Sequence, residues 1–272
     1  VLDEATQATE PSCLIPITLA DRVVMAGDHK QLPPTVLSEE AAGEGLRTSL
    51  FERLAEADFG DRIRSMLTRQ YRMNEEIMTF PSLEFYDGQL EADGQVRHHT
   101  IADLDIDVGA FEPGLADILA PREPCIFVDT AGVDAPERSR QGSNSRENPF
   151  EANLVVEMAE NLLEAGLYER ELAVISPYWD QVDRIREGLD REGVEIKTVD
   201  GFQGREKEVV LISLVRSNPD GEVGFLRDVR RFNVALTRAR RKAVVVGDSA
   251  TVASVDVLGR FVDYAERVGA RR

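Results

Sequence analysis

Two adjacent carboxylates, Asp3 and Glu4, are the first residues of the chain whose types could do chemistry. They follow an apolar start that is typical of the end of a buried parallel strand. A carboxylate at such a position can hold Mg²⁺, and a second one beside it can orient or deprotonate an attacking water. Paired acids are common at strand ends, so this pair alone does not identify a function.

A stronger pattern follows at residues 27–34, where a second predicted strand ends in a glycine turn and a run of polar groups. Two adjacent strands would deliver Asp3, Glu4 and Gln31 to one edge, the place where ligands bind in open α/β sheets. The Gln31 amide is neutral and can bond both a phosphate oxygen and a water. This suits a sensor of a terminal phosphate.

Arginine and tyrosine come together at residues 69–73. The planar guanidinium of Arg72 has donors suited to the equatorial oxygens of a transferring phosphoryl group. The Tyr71 ring could stack on a base. Such a run is also common in purely structural positions.

Residues 198–206 predict a strand followed by a loop with two glycines, which allow a ligand to approach the backbone closely. Gln203, Arg205 and Glu206 add hydrogen-bonding groups suited to ribose and phosphate. The basic run over residues 231–241 then predicts a helix with Arg238 near its end.

These groups must be positioned by short apolar strands that alternate with helices, which predicts an α/β fold with a parallel sheet. Asn74 is expected to cap a helix that Pro81 ends, and Pro81 is expected to start another turn that runs through Phe85. Residues 87–122 are expected to be irregular. The predicted strands cover residues 22–28, 63–70, 124–129, 172–176, 196–199, 209–215 and 242–247. The predicted helices cover residues 10–19, 48–56, 74–80, 149–165 and 179–193.

Composition limits the classes of function. No apolar run approaches the ~18 residues of a membrane span, and the acidic start does not resemble a signal peptide, so we expect an intracellular, cytoplasmic protein. The two cysteines match no metal-binding spacing. The net charge of −18 either argues against polyanions as partners or reflects a salt-loving organism with acidic surfaces. The scarcity of lysine beside abundant arginine favours a halophilic, here haloarchaeal, origin.

Taken together and in this order, the runs DEAT, GDHKQLPP, QYRM, VDGFQGRE and NVALTRAR resemble motifs II to VI of the superfamily 1 helicases, family B. The branch most similar to them contains the nonsense-mediated-decay helicases and the replication helicase–nucleases. The matching segments extend from residue 1 to about residue 248.

The resemblance implies a RecA-like P-loop NTPase fold, ATP and Mg²⁺ as cofactors, and a single-stranded or duplex DNA partner, with RNA left open. It implies 5′-to-3′ movement. By this resemblance Asp3 coordinates Mg²⁺, Glu4 activates water and Gln31 senses the γ-phosphate. Arg72 and Arg238 would act as arginine fingers. The remaining implied contacts are Tyr71, Gly204, Arg205 and Glu206 for the nucleotide, and Pro34, Ser176, Pro177, Tyr178 and Thr198 for nucleic acid.

The sequence departs from the family in one respect. It contains no G-x-x-x-x-G-K-S/T loop, which holds the ATP phosphates in the complete motor. We therefore expect an N-terminally truncated motor, with residues 1–60 a remnant of the first RecA-like domain and residues 61–272 the complete second one. The missing half would act in cis or in trans.

Two other hypotheses remain. The chain could be one subunit of a split helicase, or a non-catalytic half that binds nucleic acid or a protein partner. The joint presence of Asp3, Glu4, Gln31, Arg72 and Arg238 argues against long decay. By itself, without the phosphate-binding loop, the chain is expected to be inactive as an ATPase.

Overall fold

The computed structural model describes residues 1–202 and 204–272, and it divides the chain into two compact units. The first covers Val1–Leu67 and the second Thr68–Arg272. No helix in the described part of the chain is long and apolar enough to cross a membrane.

The first unit consists of short helices joined by loops. Thr9 precedes α1, which has Pro11 in its first turn, where the missing N–H has no helical partner to lose. Ser38 and Ser49 cap α2 and α3 by accepting hydrogen bonds from backbone N–H groups. The bounds are α1 Glu10–Ile17, α2 Glu39–Ala41, a π-helical turn Ala42–Leu46, α3 Leu50–Ala55 and α4 Gly60–Ile63.

The strand predicted over residues 22–28 is wrong. Only one parallel bridge forms in this region, between Leu2 and Met25. Val24 is 63% exposed, so the segment lacks the apolar cover that stabilises a central strand. Leu14, Ile15 and Leu19 are exposed, with Leu19 87% exposed, whereas Ile17 is half-buried.

The second unit is built on a five-stranded sheet in which every pairing is parallel. Its order is β3-β7-β6-β4-β5. This confirms the α/β class with a parallel sheet. The bounds are β3 Cys125–Asp129, β4 Leu172–Ser176, β5 Glu195–Thr198, β6 Lys207–Ser213 and β7 Ala239–Gly247, with a separate pair β1 Arg69–Gln70 and β2 Glu91–Ala92.

Helices cover this sheet because each parallel connection must cross over it. The helices after β3 and β4 pack against each other. Those around β7 share an aromatic cluster in which Phe261 lies 5.0 Å from Phe80 and 4.9 Å from Phe232, ring centroid to centroid. The bounds are α5 Glu75–Phe85, α6 Pro149–Glu164, α7 Trp179–Gly188, α8 Val229–Leu236, α9 Ser249–Val252 and α10 Asp256–Arg267.

The helix starts predicted at Asn74 and Asn148 are confirmed. Asn74 accepts a hydrogen bond from the N–H of Glu76, and Asn148 accepts from those of Phe150 and Glu151. Side-chain capping of this kind depends only on neighbouring residues, so the sequence reveals it.

The prediction that Pro81 ends its helix is wrong, because α5 continues to Phe85. Proline removes the one hydrogen bond that its own nitrogen would donate, and it normally kinks or breaks a helix. Here Ile77, Met78, Phe80 and Pro81 are all buried, and this burial offsets the loss.

Two other element predictions need correction. The strand expected over residues 63–70 is reduced to β1, because α4 occupies residue 63 and Leu67 is 88% exposed without a neighbouring strand to cover it. Helix α7 ends at Gly188 and not near residue 193, because Leu189 leaves helical geometry and is buried.

Candidate functional site

In the first unit, the segment of Asp3 and Glu4 lies beside the segment that leads to Gln31. The Leu2 N–H donates to Val24 O at 2.8 Å, and the Ala5 N–H donates to Ala26 O at 2.9 Å. Gln31 Nε2 donates to Asp28 Oδ2 at 2.8 Å, which orients the amide. The two segments are therefore neighbours without forming a regular strand, and the role of these polar groups in one site stays a prediction.

Asp3 and Glu4 are exposed, and Glu4 has a left-handed φ of 50°. Mg²⁺ usually binds one or two carboxylates and takes its other ligands from water and substrate phosphates. Exposed adjacent carboxylates fit that donor set. Among the described residues, no group of three or more His, Cys, Asp or Glu side chains is arranged to hold a metal by itself.

In the second unit, an arginine cluster forms at the amino ends of β6 and β7; we use this term for Arg72, Arg238, Arg240 and the carboxylate of Glu206. Arg72 Nε lies 2.5 Å from Glu206 Oε2, although the two residues are 134 positions apart. Arg240 Nη1 donates to the other carboxylate oxygen, Oε1, at 3.1 Å. One carboxylate thus holds two guanidinium groups.

Arg238 completes the arginine cluster but does not lie in the helix that the sequence predicts. Helix α8 ends at Leu236 and β7 begins at Ala239, so Arg238 lies in the turn between them. Its Nε donates to Val234 O at 3.1 Å and its Nη1 to Arg205 O at 3.3 Å. Arg72 Nη1 donates to Thr237 O at 3.2 Å, so Arg72 contacts the turn that contains Arg238.

The other predicted nucleotide contacts surround this cluster. Tyr71 is 62% exposed and leaves its ring free to stack. Gly204 has a φ of +77° and open space where a Cβ would lie. Arg205 is exposed and its Nη1 donates to Glu195 Oε2 at 2.6 Å. Gln203 lies outside the described residues.

The predicted nucleic-acid contacts of the second unit lie at the opposite, carboxyl edge of the sheet. Ser176 ends β4 and Thr198 ends β5, and these two residues are paired in register. Ser176 and Tyr178 are buried, whereas Pro177 is half-buried. In the first unit, Pro34 is buried.

Sequence reasoning missed a buried polar network at this edge. The carboxyl group of Glu151 is fully buried and accepts from Ser213 Oγ at 2.6 Å and from the Val215 N–H at 2.9 Å. Burial raises the pKa of Glu151 to about 8, although these two hydrogen bonds lower it. The only sequence signal was the spacing of Asn148 and Glu151, which is typical of a capping box and indicates a helix start.

Sequence reasoning also missed Arg240. It belongs to the same basic run as Arg238, so its charge was visible, but its pairing with Glu206 depends on the alignment of β6 with β7.

Comparison with known proteins adds to this geometry. A family model described as AAA domain matches residues 46–250, and a second model with the same description matches residues 1–39. The chain belongs to this AAA domain family.

Several relatives of this chain have names that describe DNA binding or a DNA helicase. DNA-binding protein SMUBP-2 from Mesocricetus auratus is 46% identical over 274 aligned residues, covering 100% of this chain and 27% of the relative. DNA polymerase alpha-associated DNA helicase A from Schizosaccharomyces pombe is 41% identical, covering 98% of this chain and 39% of the relative. The DNA replication ATP-dependent helicase/nuclease DNA2 of Mus musculus is 37% identical, covering 97% and 26%.

The predicted resemblance to superfamily 1 helicases is thereby confirmed at the level of the family. The chain spans less than two-fifths of the length of each of these three relatives.

Proposed function

We propose that the chain is the C-terminal portion of an ATP-dependent superfamily 1 helicase, which couples ATP hydrolysis to movement along DNA or RNA and to its unwinding. The observation that carries this proposal is the arginine cluster. Arg72 contacts the turn that contains Arg238, Arg238 contacts the backbone of Arg205, and Glu206 contacts Arg72, although these residues come from three distant parts of the sequence. The similarity to named helicases supports the same function.

In this proposal Asp3 would hold Mg²⁺, Glu4 would orient or deprotonate the attacking water, and Gln31 would bond the γ-phosphate. Arg72 and Arg238 would donate to the oxygens of the transferring phosphoryl group, as planar guanidinium groups do in phosphoryl transfer. ATP would supply that phosphoryl group. Tyr71, Gly204, Arg205 and Glu206 would contact the adenine and ribose.

The partner in this proposal is a nucleic acid strand, contacted mainly through its backbone and without sequence preference. The contacts are assigned to Pro34, Ser176, Pro177, Tyr178 and Thr198. Because the Ser176 and Tyr178 side chains are buried, we assign contact at this turn to its backbone groups and to Pro177. DNA is preferred to RNA because the relatives are named for DNA.

A phosphate-binding loop must come from elsewhere for turnover, because none occurs within the 272 residues. We propose that it belongs to a first motor domain, of which residues 1–60 are the C-terminal part, and that residues 61–272 form the second RecA-like domain. That first domain would act in the same polypeptide or in a second one.

We also propose a cytoplasmic, salt-loving setting. The support is the net charge of −18 together with only four lysines. Acidic surfaces keep a protein soluble at high salt but repel one another at low salt. The free energy of unfolding should therefore increase with KCl concentration up to the molar range, as measured by urea denaturation.

The test of the function uses a preparation that contains this chain together with a phosphate-binding loop, in one polypeptide or two. ATP hydrolysis stimulated by single-stranded DNA is measured for Arg72→Ala and Arg238→Ala. We expect each to lower kcat by about a thousandfold, the order of magnitude of an arginine finger. Arg170→Ala is the control, because the Arg170 side chain stacks on the exposed Tyr168 ring and is not a member of the arginine cluster, so its loss should have little effect.

Full hydrolysis by both variants would contradict the proposed roles. The 272-residue chain alone should show no DNA-stimulated ATP hydrolysis. Strand binding by the complete preparation without any hydrolysis would instead favour a non-catalytic binding protein.

A further inference from the structure

Four completely buried polar side chains at the carboxyl edge of the five-stranded sheet are hydrogen-bonded to one another, and we call them the edge network: Asn148, Glu151, Gln181 and Ser213. Buried polar groups stabilise a fold only when they are hydrogen-bonded. Each member of the edge network bonds at least one other member. The edge network therefore specifies one arrangement of the segments that carry it.

Gln181 and Asn148 join the segments that follow β3 and β4. Gln181 Oε1 accepts from the Asn148 N–H at 2.8 Å, and Gln181 Nε2 donates to Asn148 O at 3.2 Å. Gln181 Nε2 also donates to Ser213 Oγ at 2.8 Å, at the end of β6. Asn148 Nδ2 donates to Ala135 O at 2.9 Å. Three crossovers of the sheet are thus tied together where their strands end.

Val215 lies just beyond β6 with a φ of +73°, in the left-handed region. This conformation is a genuine outlier for a β-branched residue. Both of its backbone polar groups are held by the edge network, since its N–H donates to Glu151 Oε2 at 2.9 Å and its O accepts from Asn148 Nδ2 at 3.2 Å. Such strain persists only where the surroundings over-determine it, and it is concentrated at functional sites.

The turn at Val215 directs the next residue onto Tyr178. Arg216 Nη1 donates to Tyr178 Oη at 3.2 Å, and Arg216 Nε donates to Glu137 Oε2 at 2.7 Å. Tyr178 Oη donates to Val223 O at 3.2 Å and accepts from the Phe225 N–H at 3.3 Å. The segment over residues 216–225 is thereby fixed onto the turn that contains Pro177.

We propose that the edge network and Val215 are positioning residues, which hold the loops of the carboxyl edge as a preformed contact surface for single-stranded nucleic acid. The inference rests on the proposed function, because that function assigns strand contacts to Ser176, Pro177, Tyr178 and Thr198. A preformed surface avoids the entropic cost of ordering loops during binding. A strained Val215 stabilises nothing by itself, and we explain its conformation by the geometry that it gives to these loops.

The experiment measures binding of the full chain to fluorescent oligodeoxythymidine and oligouridine by anisotropy. In Val215→Gly the glycine can adopt the left-handed conformation but is also free to leave it. Glu151→Ala removes the acceptor of the hydrogen bonds from Ser213 and Val215. We expect each to weaken binding about tenfold or more, with the salt dependence of the dissociation constant unchanged because no phosphate contact is removed. Thermal unfolding followed by circular dichroism identifies a temperature at which every variant is folded, and binding is measured at that temperature.

Two matched variants separate positioning from general stability. Val155→Ala creates a cavity one helical turn after Glu151 on α6, where Val155 is completely buried, and should bind within about threefold of wild type. Glu151→Gln keeps an acceptor oxygen for Ser213 and Val215 and should also bind within about threefold.

The positioning role would be overturned if Val215→Gly and Glu151→Ala bound the oligonucleotides as tightly as Val155→Ala does. If Glu151→Ala does not fold, the positioning role is tested by comparing the binding affinity of Val215→Gly with that of Val155→Ala. Wild type that binds neither oligonucleotide would overturn the proposed strand contacts and this inference with them. If wild type binds an oligonucleotide and the Val215→Gly and Glu151→Ala variants bind it equally well, only this inference is overturned and the proposed strand contacts stand.

Discussion

Two polar clusters at opposite edges of the five-stranded sheet differ in their exposure to water. At the amino ends of β6 and β7, Glu206 holds Arg72 and Arg240 through ion pairs in which each side chain is about one-third exposed. At the carboxyl edge, Asn148, Glu151, Gln181 and Ser213 are completely buried. The ion pairs of Glu206 are contacts that a ligand can replace. The hydrogen bonds of the edge network are contacts that water does not reach.

This difference matters for the proposed motor. A group that must exchange partners during a hydrolytic cycle is best held by exposed ion pairs, which contribute little to stability. A surface that must keep its shape is best held by a satisfied buried network, in which the loss of one partner costs much more. The structure therefore predicts that substitutions at the two edges affect stability very differently.

The largest effect on stability is expected for Glu151→Ala. The substitution leaves the Ser213 hydroxyl and the Val215 N–H without their acceptor in a buried site, at a cost of about 1–3 kcal/mol for each. The free energy of unfolding of the chain should fall by about 3 kcal/mol or more, measured by urea denaturation. Glu157→Ala on the exposed face of the same helix is the control and should change it by less than about 0.5 kcal/mol.

An equal effect of Glu151→Ala and Glu157→Ala would mean that the buried network does not stabilise the carboxyl edge.

A pH dependence of intermediate size is expected from Lys242, the buried ionisable group near the amino ends of the strands. Its Nζ donates to Ala120 O at 3.0 Å and to Glu123 O at 2.8 Å. Burial lowers the pKa of Lys242 to about 7, although Glu123 and Cys125 raise it and Arg272 lowers it further. Between pH 7 and 9 the unfolded chain keeps this proton while the folded chain loses it. The free energy of unfolding should therefore increase with pH in this range.

Lys242→Met removes the titrating group and should abolish this increase. Burial also raises the pKa of Glu151 to about 8, and this carboxyl group lowers the free energy of unfolding as the pH rises from about 4.5 to 8. The measured quantity is therefore the difference in the free energy of unfolding between wild type and Lys242→Met, in which the effect of Glu151 cancels. Well below pH 7, where Lys242 keeps its proton in both states, the difference in the free energy of unfolding should no longer change with pH. A constant difference from pH 7 to 9 would show that Lys242 does not lose its proton in this range.

The smallest effect is expected for Glu206→Gln. Its ion pairs with Arg72 and Arg240 are partly exposed, so the free energy of unfolding should change by less than about 1 kcal/mol. Glu208→Gln is the matched comparison, because Glu208 pairs with Arg240 and Arg241 but is only 17% exposed. A loss of stability at Glu206 as large as that at Glu208 would remove the distinction between exchangeable and fixed contacts.

Much of the second unit follows from local sequence. Strand β4 has the predicted bounds, and the helices capped by Asn74 and Asn148 begin where the sequence predicts. The predicted site residues of this unit are separated into a group around Arg72, Glu206 and Arg238 and a group around Ser176 and Thr198. Their roles remain predictions, and so do those of Asp3, Glu4, Gln31 and Pro34 in the first unit.

The sequence by itself determined the α/β class, the family and the residue types available for chemistry, because strand hydrophobicity, capping residues and motif spacing are local properties of the chain. Only the tertiary structure decided that Pro81 stays within a helix, that Arg238 lies in a turn, that Tyr178 is buried and that Glu206 holds Arg72. These outcomes depend on burial and on contacts between residues far apart in sequence. The same holds for Val215, because its strained conformation is maintained by the side chains of Asn148 and Glu151 at the start of α6 and not by its neighbours in sequence.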